Sequence, residues 1–158
     1  MTKLLLSLHV LAAIIAVGPV TVAASMFPAT LRRALGHSDD SNARTTLRTL
    51  HRICRIYAGI GIAVPLFGFA TASSLGVLGD AWLIASILLT ATAAGVLTLL
   101  ILPAQDGALA ETAGSASQLS APASLTPGRL AMVTGMFNLL WATVTVLMVI
   151  RPGSTTGA

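Results

Sequence analysis

Charge is scarce in this chain of 158 residues: only 9% are Asp, Glu, Lys or Arg, and the mean hydropathy is +0.88. So few charged groups cannot cover a surface that faces water, which excludes a soluble globular domain and places the chain in a bilayer. Cysteine occurs once, as Cys54, so an intramolecular disulfide is also excluded.

Carboxylates are few, and none lies in a long apolar run. The five are Asp39, Asp40, Asp80, Asp106 and Glu111. Ion- and proton-coupled transporters keep an ionisable group near the middle of the membrane, so a pump or an antiporter is disfavoured. The sequence also contains no serine-hydrolase, zinc-protease or phosphate-loop motif. It therefore predicts no catalytic residue, and an enzyme is the less favoured reading.

Four long apolar stretches make up most of the chain, each close to or above the ~20 residues that cross a hydrocarbon core. They predict an all-α fold, a bundle of four transmembrane helices in a single integral membrane domain over residues 1–158. The predicted spans cover about 4–29, 53–76, 81–102 and 130–150. Residues 32–52 form an arginine-rich loop, and the Ala-, Ser-, Gly- and Pro-rich residues 103–128 are predicted to be a flexible linker.

The first stretch, LLLSLHVLAAIIAVGPVTVAASMF, admits two interpretations. It is either a signal peptide cut near Val22-Ala23-Ala24 or a permanent helix. Cleavage would carry six loop arginines outside, against the positive-inside rule, and the run exceeds the ~15 residues of a signal peptide core. A permanent helix is favoured, with both termini outside, loops 32–52 and 103–128 in the cytoplasm, and Lys3 and Arg151 as the exceptions.

Arginines of the first loop follow a helical spacing that predicts a juxtamembrane amphipathic stem. Arg44, Arg48, Arg52 and Arg55 fall on one face, and Arg32 and Arg33 lie nearby. Ser41 or Asn42 is expected to cap this helix. Because such a face attracts acidic headgroups, all six arginines are predicted to contact anionic lipids. The alternative is that they serve only to orient the chain. Nucleic acid is not an expected partner.

Small and polar residues within the spans suggest how the helices associate. Ala12, Ala16 and Ala23 on the first span, and pairs such as Gly59/Ala63, Gly68/Ala72, Ala81/Ala85 and Ala91/Gly95, permit close approach. Asn138 is expected to form a hydrogen bond between helices. Pro19 and Pro65 each remove a backbone donor, so both spans are predicted to bend there.

His9 is the one histidine inside a predicted span, and a polar group at that depth needs a partner. One interpretation makes it a haem ligand, with Met148 near the outer end of the last helix as the opposite axial ligand. The other makes it a packed residue, hydrogen-bonded to a hydroxyl or carbonyl group. The second is favoured, so no cofactor is expected, and haem b is the alternative. His51, Cys54, Met132 and Met136 are expected to be filler at the inner side, and no metal site is predicted.

Several segments together resemble a known family. They are LHVLAA with a following glycine, the arginine-rich first loop, the helix RIYAGIGIAVPLFGFATA and a last span with a tryptophan. They are similar to the predicted bacterial integral membrane proteins of domain-of-unknown-function family 2269. A looser similarity at Leu8-His9-Val10 links the chain to copper-resistance D-type proteins and to the membrane protoporphyrinogen oxidase that binds haem b. The resemblance implies a multi-pass protein of the bacterial inner (plasma) membrane.

The function predicted from these observations is that of a non-catalytic packing or accessory component of the bacterial inner membrane. Its expected partners are the lipid bilayer, anionic lipids and either other membrane subunits or a second copy of itself. The alternative is a haem-b-binding or copper-related membrane redox protein that uses His9.

Overall fold

Helices account for all the regular structure in the computed structural model, which describes residues 1–37, 40–113 and 125–153. The helices are α1 (Thr2–Gly36), α2 (Ser41–Ile60), α3 (Ala63–Leu75), α4 (Ala81–Gly95), a π-helical segment (Val96–Ile101), α5 (Leu102–Thr112) and α6 (Pro127–Ile150). Within the described residues there is no strand. The fold is therefore all-α, as predicted.

Four of the continuous helical stretches are long and apolar enough to cross a membrane. The first span is α1, the second joins α2 and α3 over Ser41–Leu75, the third runs from α4 to α5 over Ala81–Thr112, and the fourth is α6. Every span turns large apolar side chains outward: Ile14, Leu66, Leu88 and Leu139 are 64–69% exposed. Outward apolar groups on all four helices suit a lipid solvent and confirm the predicted four-helix transmembrane bundle.

The helices extend further than the apolar runs predicted. The first span continues to Gly36, and the second begins at Ser41 rather than near residue 53. Asp40 caps α2, because its carboxylate accepts a hydrogen bond from the Ala43 N–H at 2.9 Å. The cap is therefore neither Ser41 nor Asn42.

The third span also passes its predicted end at residue 102. Residues 102–112, most of which were assigned to a flexible linker, form helix α5, and residues 114–124 of that linker lie outside the described residues. The Leu102 N–H bonds the Leu97 carbonyl, a π-helical i→i−5 bond. Pro103 follows directly and cannot donate to the Leu99 carbonyl, so the widened turn lets the helix continue past a missing donor.

Proline interrupts the second span but not the first. Helix α1 runs unbroken through Pro19 and Pro28. In the second span, Pro65 has no N–H for the Gly61 carbonyl, and the Val64 N–H bonds that carbonyl instead at 3.1 Å. The α-helix is interrupted at Gly61 and Ile62 as a result. The predicted bend near Pro65 thus corresponds to a break one turn earlier in the chain.

Helix α1 is the hub of the bundle, packing against α2, α3, α5 and α6, while α4 packs against α6. Its buried side combines four alanines with four larger residues, namely Ala16, Val20, Ala23, Ala24, Phe27, Pro28, Leu31 and Ala34. The small-residue prediction is correct for Ala16, Ala23 and Ala72, which are buried. It is wrong for Ala81 and Ala91, which are exposed, and Gly59 is also exposed and lines a cavity instead of a close helix contact.

Candidate functional site

A polar cluster joins α2 to α5 toward the end of the bundle that carries the α1–α2 connection, which is the inner end in the predicted topology. His51 is 8% exposed, and Cys54 and Gln105 are fully buried. The Nδ1 atom of His51 lies 3.1 Å from the Gln105 Oε1, and its Nε2 lies 3.0 Å from the Asp106 Oδ1. The Gln105 amide nitrogen donates in turn to the Cys54 Sγ at 3.7 Å. We call these four residues the inner polar cluster.

Both ring nitrogens of His51 have a hydrogen-bonding partner in this cluster. The Gln105 oxygen and the Asp106 carboxylate lie within hydrogen-bond distance of the two ring nitrogens of His51, one at each. Asp106 is 60% exposed at its side chain, and the ion pair therefore meets the aqueous edge. The cluster therefore links α2 to α5 and leaves both ring nitrogens of His51 with a partner. Among the described residues, no group of three or more His, Cys, Asp or Glu side chains is arranged to hold a metal ion.

Sequence reasoning did not find this site. His51 and Cys54 were expected to be filler at the inner side, and Gln105 and Asp106 fell at the edge of a predicted linker. His51 and Gln105 are in contact although they are 54 positions apart in the sequence. One feature of the sequence could have indicated this site. Gln105 and Asp106 directly follow the third apolar run, whose polar side chains are almost all threonine and serine.

His9 lies against α3 near the other end of the bundle. Its Nδ1 donates to the Val64 carbonyl oxygen at 2.9 Å. Gly68 leaves room for the ring, because a Cβ atom at that position would lie 3.0 Å from the His9 Cε1. The ring thus has a backbone partner, and a carbonyl only accepts, so the hydrogen is on Nδ1.

Met148 lies near the end of α6. It packs on a small cluster of Ala72, Trp82 and Leu83, where α4 begins and α6 ends. In the same region the Trp82 Nε1–H donates to the Asp80 carboxylate at 3.0 Å, and the Arg151 guanidinium lies 5.6 Å from the Trp82 ring centroid. Arg151, predicted as a basic exception at the outer side, therefore has a cation–π partner.

The predicted arginine face lies at the opposite end from Met148. We use this name for Arg44, Arg48, Arg52 and Arg55 of α2 together with Arg32 and Arg33 at the end of α1. All are exposed except Arg44, which is half-buried. In the described part of the chain, no carboxylate forms an ion pair with Arg32, Arg33, Arg48, Arg52 or Arg55.

One hydrogen bond between spans was predicted and is present. The Asn138 amide nitrogen of α6 donates to the Ser25 hydroxyl of α1 at 3.0 Å. In a membrane such side-chain bonds add to the close packing of the helices.

We predict that Gln105→Ala destabilises the bundle by about 2 kcal/mol, because it leaves the buried His51 Nδ1 without an acceptor. Asp106→Ala is the matched control, and it should cost less than about 1 kcal/mol since its carboxylate is largely exposed. Thermal unfolding of both variants in one detergent measures the difference. Equal melting temperatures for the two variants would contradict the assigned role of Gln105.

Comparisons with known proteins agree with the helical architecture. A family described as "Predicted integral membrane protein (DUF2269)" matches residues 3–152. No curated protein and no solved structure matches the chain. Since the family match covers nearly the whole sequence, the chain belongs to the DUF2269 family of predicted integral membrane proteins.

Proposed function

We propose that this protein is a non-catalytic accessory component of the bacterial inner membrane that binds anionic lipids through its arginine face. The observation that carries the proposal is the set of exposed guanidinium groups without a carboxylate partner in the described residues. Unpaired surface cations gathered at one end of a membrane bundle need counter-ions, and acidic headgroups are the most abundant ones at that depth.

Geometry concentrates these charges. The last turn of α1 and the first turns of α2 meet at one end, because the two helices pack together and only residues 37–40 connect them. Arg32 and Arg33 therefore lie at the same level as the start of the stem. With both termini outside, this end faces the cytoplasm, where the leaflet is rich in acidic lipids.

The non-catalytic part of the proposal is supported by the sequence of the spans. All five carboxylates lie outside the predicted spans, and the sequence has no recognised catalytic motif. The charged side chains lie outside the apolar spans, toward the ends of the bundle. We therefore assign the protein an accessory role, with another membrane subunit or a second copy of the chain as partner.

Lipid retention tests the proposal. Replacing Arg48, Arg52 and Arg55, which are exposed, with glutamine should weaken binding to acidic lipid by about 3 kcal/mol, at ~1 kcal/mol per charge. Quantifying the phosphatidylglycerol and cardiolipin that co-purify with the protein measures this loss. A Lys3→Gln/Arg151→Gln double variant, altered at the other end, should retain the lipid.

Orientation is controlled in the same experiment by a reporter that is active only in the cytoplasm, inserted at Gly36. It should be active in the parent and in the triple variant. Retention of all the acidic lipid by a correctly oriented triple variant would mean that the arginines only orient the chain.

Binding of haem b through His9 is a second candidate, favoured by one observation. Histidines that ligate metals commonly donate their other ring N–H to a backbone carbonyl, as the His9 Nδ1 does to Val64. This bond leaves the Nε2 lone pair available as a ligand. Met148 packs on the cluster of Ala72, Trp82 and Leu83, whereas His9 contacts Val64 and Gly68, and only His9 makes a hydrogen bond of this kind.

Absorption spectroscopy tests this second candidate. Protein expressed with a haem supply should show a Soret band that His9→Ala abolishes, because the iron loses its protein ligand. His37→Ala, at the exposed residue that directly follows α1, is the control and should keep the band. A colourless parent protein, or an unchanged band in the His9→Ala variant, would exclude the candidate.

A further inference from the structure

A cavity of about 390 Å³ lies among the four spans beside the break in the second span. Its volume falls in the range of about 300–1,000 Å³ that small-molecule sites occupy. Its walls are almost entirely apolar and come from α1, from the second span around Gly61, from α4 and the π-helical segment, and from α6. We call it the lateral cavity.

The lateral cavity opens toward the hydrocarbon between the second and third spans. Its exposed lining residues are Gly59 and Ile62 of the second span and Ala94 and Thr98 of the third. The Thr98 hydroxyl donates to the Ala94 carbonyl at 2.8 Å, so it offers no free hydrogen to an occupant. Lining atoms that face a void lose dispersion contacts. An apolar chain that enters from the side restores these contacts.

The arginine face leads along the second span to the opening of this cavity. Arg48, Arg52 and Arg55 follow one another at spacings of four and three residues, which places them on one side of α2. Gly59 lies four residues after Arg55 on the same side, and all four residues are exposed. A Cβ atom at Gly59 would meet nothing within 4 Å. No side chain at that position therefore separates the guanidinium groups from the cavity.

The distance from the arginines to the cavity matches the layers of a phospholipid. At ~1.5 Å per residue, Gly59 lies about 6 Å and Ile62 about 10 Å further along the span than Arg55. The headgroup layer on each side of a bilayer is roughly 5–8 Å thick, since it brings a ~30 Å core to about 40–45 Å in total. A phosphate bound at Arg55 therefore places the start of its acyl chains at the level of Gly59, beside the opening.

From these observations we infer that the lateral cavity holds one acyl chain of an anionic phospholipid whose phosphate is bound by Arg52 and Arg55. This inference rests on the proposed lipid binding at the arginine face and assigns that binding to a defined site. The guanidinium groups select an acidic headgroup, whereas the apolar walls do not distinguish one hydrocarbon chain from another. Because headgroup and chain belong to one molecule, binding of the phosphate raises the effective concentration of its own chain at the opening.

Lipids with brominated acyl chains test the inference, because bromine quenches the fluorescence of a tryptophan that it contacts, and Trp141 lines the cavity. The chain has only Trp82 and Trp141, so the Trp82→Phe variant leaves Trp141 as the sole reporter. In phosphatidylcholine nanodiscs, brominated phosphatidylglycerol should quench Trp141 at a mole fraction about tenfold lower than brominated phosphatidylcholine does, since two charges favour the acidic headgroup.

Two glycine variants separate a chain in the cavity from the lipid that surrounds the protein. Gly59→Leu places a side chain at the opening, and the open space around Gly59 lets the helix accept it. Gly135→Leu on α6 has the same open surroundings, does not line the cavity and is the matched control. On the Trp82→Phe background, Gly59→Leu should reduce quenching by brominated phosphatidylglycerol to the level of brominated phosphatidylcholine. Gly135→Leu should leave it unchanged.

Phosphatidylglycerol that co-purifies with the same variants distinguishes this inference from the proposed function. Gly59→Leu should keep most of the lipid, because its arginines are intact, and an Arg52→Gln/Arg55→Gln variant should lose it. If Gly59→Leu keeps both the lipid and the quenching of Trp141, the chain lies outside the cavity, and the inference fails while lipid binding at the arginine face stands. If the arginine variant keeps the lipid, both fail.

Equal quenching of the parent Trp141 by the two brominated lipids would also overturn the inference, because any hydrocarbon chain would then fill the cavity. If Trp82→Phe does not fold, the difference in quenching between the parent protein and its Trp141→Phe variant gives the contribution of Trp141 and the same comparison.

Discussion

Hydrocarbon around the spans provides no hydrophobic force to bring them together, so the bundle depends on how closely its helices approach α1. Ala16, Ala23 and Ala24 are all at most 2% exposed, and they let the neighbouring backbones come close along that helix. Larger groups such as Phe27 and Leu47 fill the inner half, where four helices meet. Dispersion contacts, each weak but numerous, then hold the spans together.

The hydrogen-bonded polar clusters lie near the two ends of the bundle, where a bilayer gives way to water. Near the inner edge, the inner polar cluster satisfies its own donors and acceptors and places Asp106 in reach of water. Trp82, Asp80 and Arg151 do the same at the other end. Between the ends, three buried polar atoms of α6 have no hydrogen-bond partner among the described residues: the Thr134 hydroxyl, the Asn138 Oδ1 and the Trp141 N–H. Such atoms are costly in hydrocarbon.

The fold was largely predictable from the sequence, because uncharged runs of ~20 residues report directly on the bilayer. The ends of the helices were less predictable. Charged residues mark where the chain leaves the hydrocarbon, but a helix can continue beyond that point if the following residues favour helical structure. Thus α5 extends to Thr112 through residues rich in Ala and Leu that composition alone assigned to a linker. The inner polar cluster could not be predicted, since it depends on contacts between distant positions. His9 was correctly singled out as needing a partner, but the sequence gives no indication that Val64 supplies it.

Close approach at α1 is tested most directly by enlarging one alanine of its contact side. Ala24 is 1% exposed, whereas Ala29, on the same helix, is exposed. Ala24→Leu should lower the free energy of unfolding by about 1–3 kcal/mol, because the larger side chain forces the helices apart. Ala29→Leu should leave the stability close to that of the parent. Equal thermal stabilities of the two variants in the same lipid nanodiscs would contradict the view that α1 holds the bundle together through its small residues.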